Sequence, residues 1–196
     1  MKLTLASKSS ARAAVLSGAG APFQTAGSGV EEDVIKRQLL AEGANPKEIA
    51  EALAEAKALA VSERAPGLVL GADQTLDLSG TLYDKVETLE AARERLQELR
   101  GKPHQLHSAI AVAEAGQIVW RETVSATLTM RDFSDDFLER YLTEEGEAAL
   151  GSVGCYRLEG PGAQLFAKVQ GDYFAILGLP LFGLLEFLRR REVLPA

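Results

Sequence analysis

The stretch that most constrains this chain is residues 1–16, a short apolar run followed by a hydroxyl-rich turn and a helix. Leu3, Leu5 and Ala6 read as a buried strand. The chain then turns through Ser7, Lys8, Ser9 and Ser10 into a segment rich in Ala and Leu. The first turn of a helix leaves backbone N–H groups without helical acceptors, and its dipole end is positive. Serine hydroxyls and Arg12 beside those donors make a corner suited to phosphate. The same residues also read as a serine N-cap with Lys8 and Arg12 in solvent. This segment alone does not separate the two.

The elements that follow place the chain in the α/β class. Gly18 and Gly20 close the first helix, and 22–26 reads as a second short strand. Residues 31–42 look helical and stop at Gly43. Asn45, Pro46 and Glu48 form a helix start with an N-cap, a proline at the first position and a capping-box acid, so a helix is predicted over 46–64. The apolar run 68–73 is a buried strand ending at Asp73, and Ser79-Gly80 marks a hairpin. A helix over 88–100 closes at Gly101. Strands are predicted over 104–114 and 117–131, where Val124, Ala126, Leu128 and Met130 alternate with Ser and Thr. Ser134 caps a helix ending near Gly146, several short strands are expected over 153–176, and Pro180 opens a final helix. Its terminal Arg189, Arg190 and Arg191 suit the helix dipole. Interleaved helices and strands without repeats or long linkers predict one α/β domain over 1–196.

Composition narrows the function classes. Formal net charge is −7, which argues against a general nucleic-acid binder. No apolar run reaches the roughly 20 residues of a membrane span. The single Cys155 has no internal disulfide partner, which fits a reducing cytoplasm. An acidic protein can still hold a small anion where a few cations converge or a divalent metal helps.

Several polar residues sit where chemistry would need them. Asp73 ends an apolar strand, where α/β sheets gather ligands; it is a base, a metal ligand or a turn cap. Lys57 shares a helix face with Ile49 and Leu53, so it either snorkels or reaches a phosphate. Lys85 follows the hairpin, and Glu31 and Glu32 open a helix. His104 and His107 fall on opposite strand faces and do not suit a shared metal. Cys155 reads as a core residue.

The order and spacing of these pieces resemble the Maf family of nucleoside triphosphate pyrophosphatases over nearly the whole chain. The resemblance runs from Leu5-Ala-Ser-Lys-Ser-Ser-Ala-Arg12 through Val30-Glu-Glu32, Leu53-Ala-Glu-Ala-Lys-Ala58, Gly71-Ala-Asp-Gln74 and Asp84-Lys85. It continues with Gly101-Lys-Pro-His104, Gly154-Cys-Tyr-Arg-Leu-Glu-Gly160, Gly171-Asp-Tyr173 and Leu177-Gly-Leu-Pro-Leu181. It implies an elongated mixed sheet flanked by helices, with two lobes around a cleft. It implies that Ser7, Ser9, Arg12, Lys57 and Lys85 hold a triphosphate, that Glu32 and Asp73 bind Mg²⁺ or Mn²⁺, and that Asp73 is the general base. The implied reaction is nucleoside triphosphate plus water giving the monophosphate and pyrophosphate, a cytoplasmic house-cleaning role. The implied partners are the nucleotide substrate and a second copy of the chain in a homodimer, with neither nucleic acid nor membrane.

The chain departs from the usual family pattern. Ser10-Ala11 stands where Pro-Arg is common, and Asp84-Lys85-Val86 replaces Gly-Lys-Pro. Gln74 and Glu159 resemble the subgroup preferring 7-methyl-GTP, although that subgroup can carry a bulky aromatic at the position of Ala11. A carboxylate at 159 accepts the N1–H and N2–H donors of guanine, whereas uracil suits an amide better. The alternatives are a pyrimidine (dTTP or UTP) pyrophosphatase, a non-catalytic nucleotide-binding regulator of cell division, and a phosphatase acting on monophosphates.

Overall fold

Strand β1 (Leu3–Leu5) is buried along its length because it lies between two parallel neighbours, β2 (Gln24–Thr25) and β3 (Leu68–Leu78). The structure is a computed structural model describing residues 2–195. β5 (Pro103–Glu114) pairs antiparallel with β3, β6 (Gln117–Met130) pairs antiparallel with β5, and β7 (Phe166–Gln170) pairs with the end of β6. β4 (Thr81–Tyr83) folds back on β3 through Ser79 and Gly80, both at positive φ. The result is a seven-stranded mixed sheet in the order β2-β1-β3-β5-β6-β7, with β4 beside β3.

Helices flank this sheet: α1 (Ser10–Gly18), α2 (Glu32–Ala41), α3 (Pro46–Ser62), α4 (Leu89–Leu99), α5 (Asp135–Glu145), the short α6 (Tyr173–Ile176) and α7 (Leu181–Arg190). The predicted capping box of α3 is formed, with Asn45 Oδ1 accepting from Glu48 N and Glu48 returning a bond to Asn45 N. Small residues bring α3 unusually close to the sheet. Ala50, Ala54 and Ala58 pack on Ala109, Ala111 and Ala113. A Cβ on Gly71 would stand 2.1 Å from the carbonyl oxygen of Ala54, so only glycine fits there.

The interior divides into two main apolar clusters along the sheet. One gathers Leu3, Leu16, Leu70, Ile110 and Leu184; the other gathers Leu76, Leu96, Leu128, Leu138 and Tyr156. Between them β3 carries Asp73, Gln74 and Thr75, and β5 carries His107 and Ser108. Strand register creates a notch at this polar waist. β1 pairs with Leu68–Leu70 and β4 pairs with residues 76–78 of β3, so residues 71–75 have neither neighbour on that edge.

Two expectations are corrected. The strand predicted to end at Asp73 continues to Leu78, so Asp73 lies mid-strand; what ends beside it is β1. The short strands expected over 153–176 reduce to β7, preceded by 3-10 turns at Gly146–Gly151 and Pro161–Leu165 and followed by α6. Here the apolar residues plug the second cluster from a coiled segment. Ser152 Oγ accepts from Tyr156 N and donates to Tyr156 O. Gly162 lies against Arg157, where a Cβ would meet Arg157 O at 2.5 Å.

Candidate active site

The notch collects charged groups from every element that reaches it. Lys57 comes from the middle of α3, and helix side chains lean toward the N-terminus. That direction carries its ammonium past Gly71 to Asp73. Lys57 Nζ lies 2.7 Å from Asp73 Oδ1 and 2.9 Å from Glu32 Oε1 at the start of α2. The lysine is 6% exposed and Asp73 7%. A buried ammonium persists only when paired and hydrogen-bonded, and these two carboxylates supply that. The apolar face on which Lys57 sits is therefore its route into the notch.

Arg12 enters from α1. Its Nε donates to Gly178 O at 2.9 Å and its Nη1 to Ser7 Oγ at 3.3 Å. Burial lowers the pKa of this guanidinium, and the charges of Asp73 and Glu32 oppose that. Lys85, from the link between β4 and α4, is pushed down by burial and by Arg12, against Asp73 and Glu32. Three cations and two carboxylates thus share one field. Ser9 acts as the α1 N-cap, accepting from Arg12 N at 3.4 Å. Ser7 Oγ accepts from Ser9 N at 3.2 Å. The capping role is formed, and Arg12, rather than lying in solvent, bonds to Ser7 in the same turn.

A divalent cation arriving on a triphosphate needs only one or two protein carboxylates, because phosphate and water oxygens complete its shell. Glu32 and Asp73 converge on one ammonium and fit that donor set. Among the described residues no group of three His, Cys, Asp or Glu is placed to hold a metal, so the fit is to a cation shared with phosphate rather than an all-protein cage.

Other singled-out residues lie elsewhere. His104 and His107 do face opposite ways. His104 Nε2 is 2.7 Å from Tyr156 Oη, and His107 Nδ1 is 2.7 Å from Ser125 Oγ. Cys155 is buried, and burial pushes its thiol up to about 11. The Gly178 carbonyl, Lys36 and Arg95 were not singled out by the sequence. The available signal for Lys36 was its place four residues after Glu32, on the same helical face.

Comparison with known proteins identifies the family. Residues 2–191 match the family described as Maf-like protein. The chain belongs to the Maf-like family. A Caulobacter vibrioides protein named nucleoside triphosphate pyrophosphatase is 58% identical over 95% of this chain and 94% of its own. A Granulibacter bethesdensis protein of the same name is 50% identical over 99% of each. A Brucella abortus protein named 7-methyl-GTP pyrophosphatase is 49% identical over 98% of this chain and 97% of its own.

Within this Maf-like chain the expected specificity residues are dispersed. Gln74 points to the face opposite Asp73. Its Nε2 donates to Ser108 Oγ at 2.8 Å and to Ala175 O and Ile176 O at 3.0 Å each. Its amide nitrogen is thus committed to holding α6, just before the Gly178 carbonyl that anchors Arg12. Glu159 is exposed, and its charge acts on Tyr141 and Arg157 rather than on Arg12 or Lys85. Ala11 is half-buried in the first turn of α1. No helix among the described residues is long and apolar enough to cross a membrane.

Proposed function

We propose that this protein hydrolyses a nucleoside triphosphate to the monophosphate and pyrophosphate. The observation that carries the proposal is the buried ammonium of Lys57 joining Asp73 to Glu32 within the field of Arg12 and Lys85. Phosphoryl transfer is mostly positioning and charge neutralisation. Arg12 and Lys85 receive the polyphosphate, with the Ser7 hydroxyl and the α1 N-terminus beside them. Lys57 holds Asp73 in place through Oδ1. Asp73 takes a proton from the attacking water as its oxygen bonds to the α-phosphorus and the bond to the β-phosphate bridge breaks, releasing pyrophosphate. A Mg²⁺ or Mn²⁺ ion held by Glu32 and Asp73 would neutralise phosphate charge during that step. The names of the relatives support the same reaction class.

For the base we propose 7-methyl-GTP or another purine triphosphate, with Glu159 accepting from the guanine edge. The cytoplasmic house-cleaning role and homodimer expected from the family resemblance remain part of the proposal. A panel including 7-methyl-GTP, GTP, UTP and dTTP, with separate detection of pyrophosphate and orthophosphate, tests it. Pyrophosphate release supports the proposal. Orthophosphate alone points to a phosphatase, and tight binding without turnover to a regulator.

A further inference from the structure

Lys85 belongs to the link 84–88 between β4 and α4, which contains neither proline nor glycine. Among the described residues, no backbone turn or cap hydrogen bond falls within 84–87. Two side chains grip this link at Asp84 instead. Arg95 of α4 stacks 4.4 Å over the Tyr83 ring and donates to Asp84 O at 2.9 Å and Val153 O at 2.7 Å. Lys36 of α2 approaches from the opposite rim of the notch, its Nζ 2.6 Å from Asp84 Oδ1. Its side chain is 17% exposed. Burial pulls the Lys36 ammonium down, but the hydrogen bond and charge of Asp84, helped by Asp73 and Asp33, outweigh it and raise the pKa.

Helix α2 needs such an anchor. None of its residues is buried, and Val34 and Leu40 are 46% and 48% exposed. Apolar burial therefore does little to fix the helix that carries Glu32. Its inward face makes two ion pairs one turn apart, Glu32 with Lys57 and Lys36 with Asp84. One joins α2 to the floor of the notch and the other joins it to the link bearing Lys85.

We propose that Lys36 and Asp84 form a clasp across the mouth of the notch, and that with Arg95 they are positioning residues fixing Lys85 relative to Glu32. The clasp rests on the triphosphate site proposed above. It holds a phosphate-binding ammonium and a metal-binding carboxylate at a set separation before the nucleotide arrives, which reduces the ordering cost of binding.

A simple field effect predicts the opposite sign for one variant. Asp84 places a negative charge next to the phosphate cations, so its neutralisation alone would strengthen binding of a polyanion. If the clasp matters, Asp84→Asn instead weakens it. In full-length protein, Asp84→Asn and Lys36→Met are expected to raise KM about fivefold or more with kcat held within about twofold. Lys36→Arg keeps the wild-type KM. In a Lys85→Ala background Asp84→Asn adds nothing, because its effect passes through Lys85. A lower KM for Asp84→Asn, or a full additive loss in the Lys85→Ala background, overturns the proposal. Hydrogen exchange of the helically bonded α2 amides, residues 36–41, without nucleotide gives a second readout independent of turnover. Exchange at least about tenfold faster in Lys36→Met and Asp84→Asn supports the clasp; exchange equal to wild type overturns it even if the enzyme is active. A wild type that releases no pyrophosphate from any triphosphate refutes the assigned reaction, and the exchange result then decides the clasp.

Discussion

Lys57 Nζ donates to Asp73 Oδ1 at 2.7 Å, a bond between two side chains almost wholly withdrawn from water. Neither group is secure alone: a buried unpaired charge costs several kcal/mol. The pair fixes the carboxylate assigned as base. Asp73→Asn is expected to lower turnover about 10²- to 10⁴-fold, the usual cost of losing a general base. Lys57→Met keeps the packing of the stem but leaves Glu32 and Asp73 facing each other without a cation. Its melting temperature should rise more with added Mn²⁺ than that of wild type. Retention of more than about a tenth of wild-type turnover by Asp73→Asn would remove the base assignment.

Chelation tests the metal separately. With only two carboxylates to hold the ion, binding depends on phosphate oxygens. Excess EDTA should abolish pyrophosphate release and leave the nucleotide-free melting temperature unchanged. Full turnover in chelator sinks the metal part of the mechanism.

Gln74 should act through α6. Replacing its amide by a carboxylate in Gln74→Glu turns a donor into an acceptor facing the carbonyls of Ala175 and Ile176. The expected loss of stability is about 1–3 kcal/mol by chemical denaturation, the scale of unpaired buried polar groups. KM should rise too, because the Gly178 carbonyl that orients Arg12 follows directly.

Glu159 is the residue assigned to base choice. The ratio of kcat/KM for 7-methyl-GTP over UTP should fall in Glu159→Gln by an amount equivalent to about 1–3 kcal/mol. An unchanged ratio assigns base choice elsewhere.

His104 predicts a pH window. Burial lowers its pKa from 6.5 to about 4, so the unfolded chain binds a proton that the folded chain refuses between those values. Stability is then fully present above pH 6.5 and declines as pH falls toward 4, by about 3 kcal/mol at most. His104→Phe should be less stable at pH 7.5, because Tyr156 Oη loses its partner. It should also lose less on acidification. Denaturant midpoints at pH 4.5 and 7.5 in both proteins measure this, and equal losses would count against His104.

Local signals carried much of the fold. The α3 capping box, the Ser79-Gly80 hairpin and the alternation of β6 are short-range preferences that tertiary context did not override, and each was formed as read. Segment 153–176 forms one strand where several are expected, because apolar residues that fill a core from a coil have the same composition as a strand. Its Gly162 contact and Ser152 bonds join residues that sequence spacing does not mark as neighbours.

The α/β class, the hydroxyl-rich first turn and the motif order that marks the family are legible along the chain, because they rest on residues close together in it. Tertiary structure alone decided that Lys57 bridges Asp73 and Glu32, that Gln74 serves α6, and that Lys36 meets Asp84. These contacts join separate elements, and their distances follow from where β1 stops and β4 begins along β3. Strand register sets that gap, and register is fixed by the packing of both apolar clusters together.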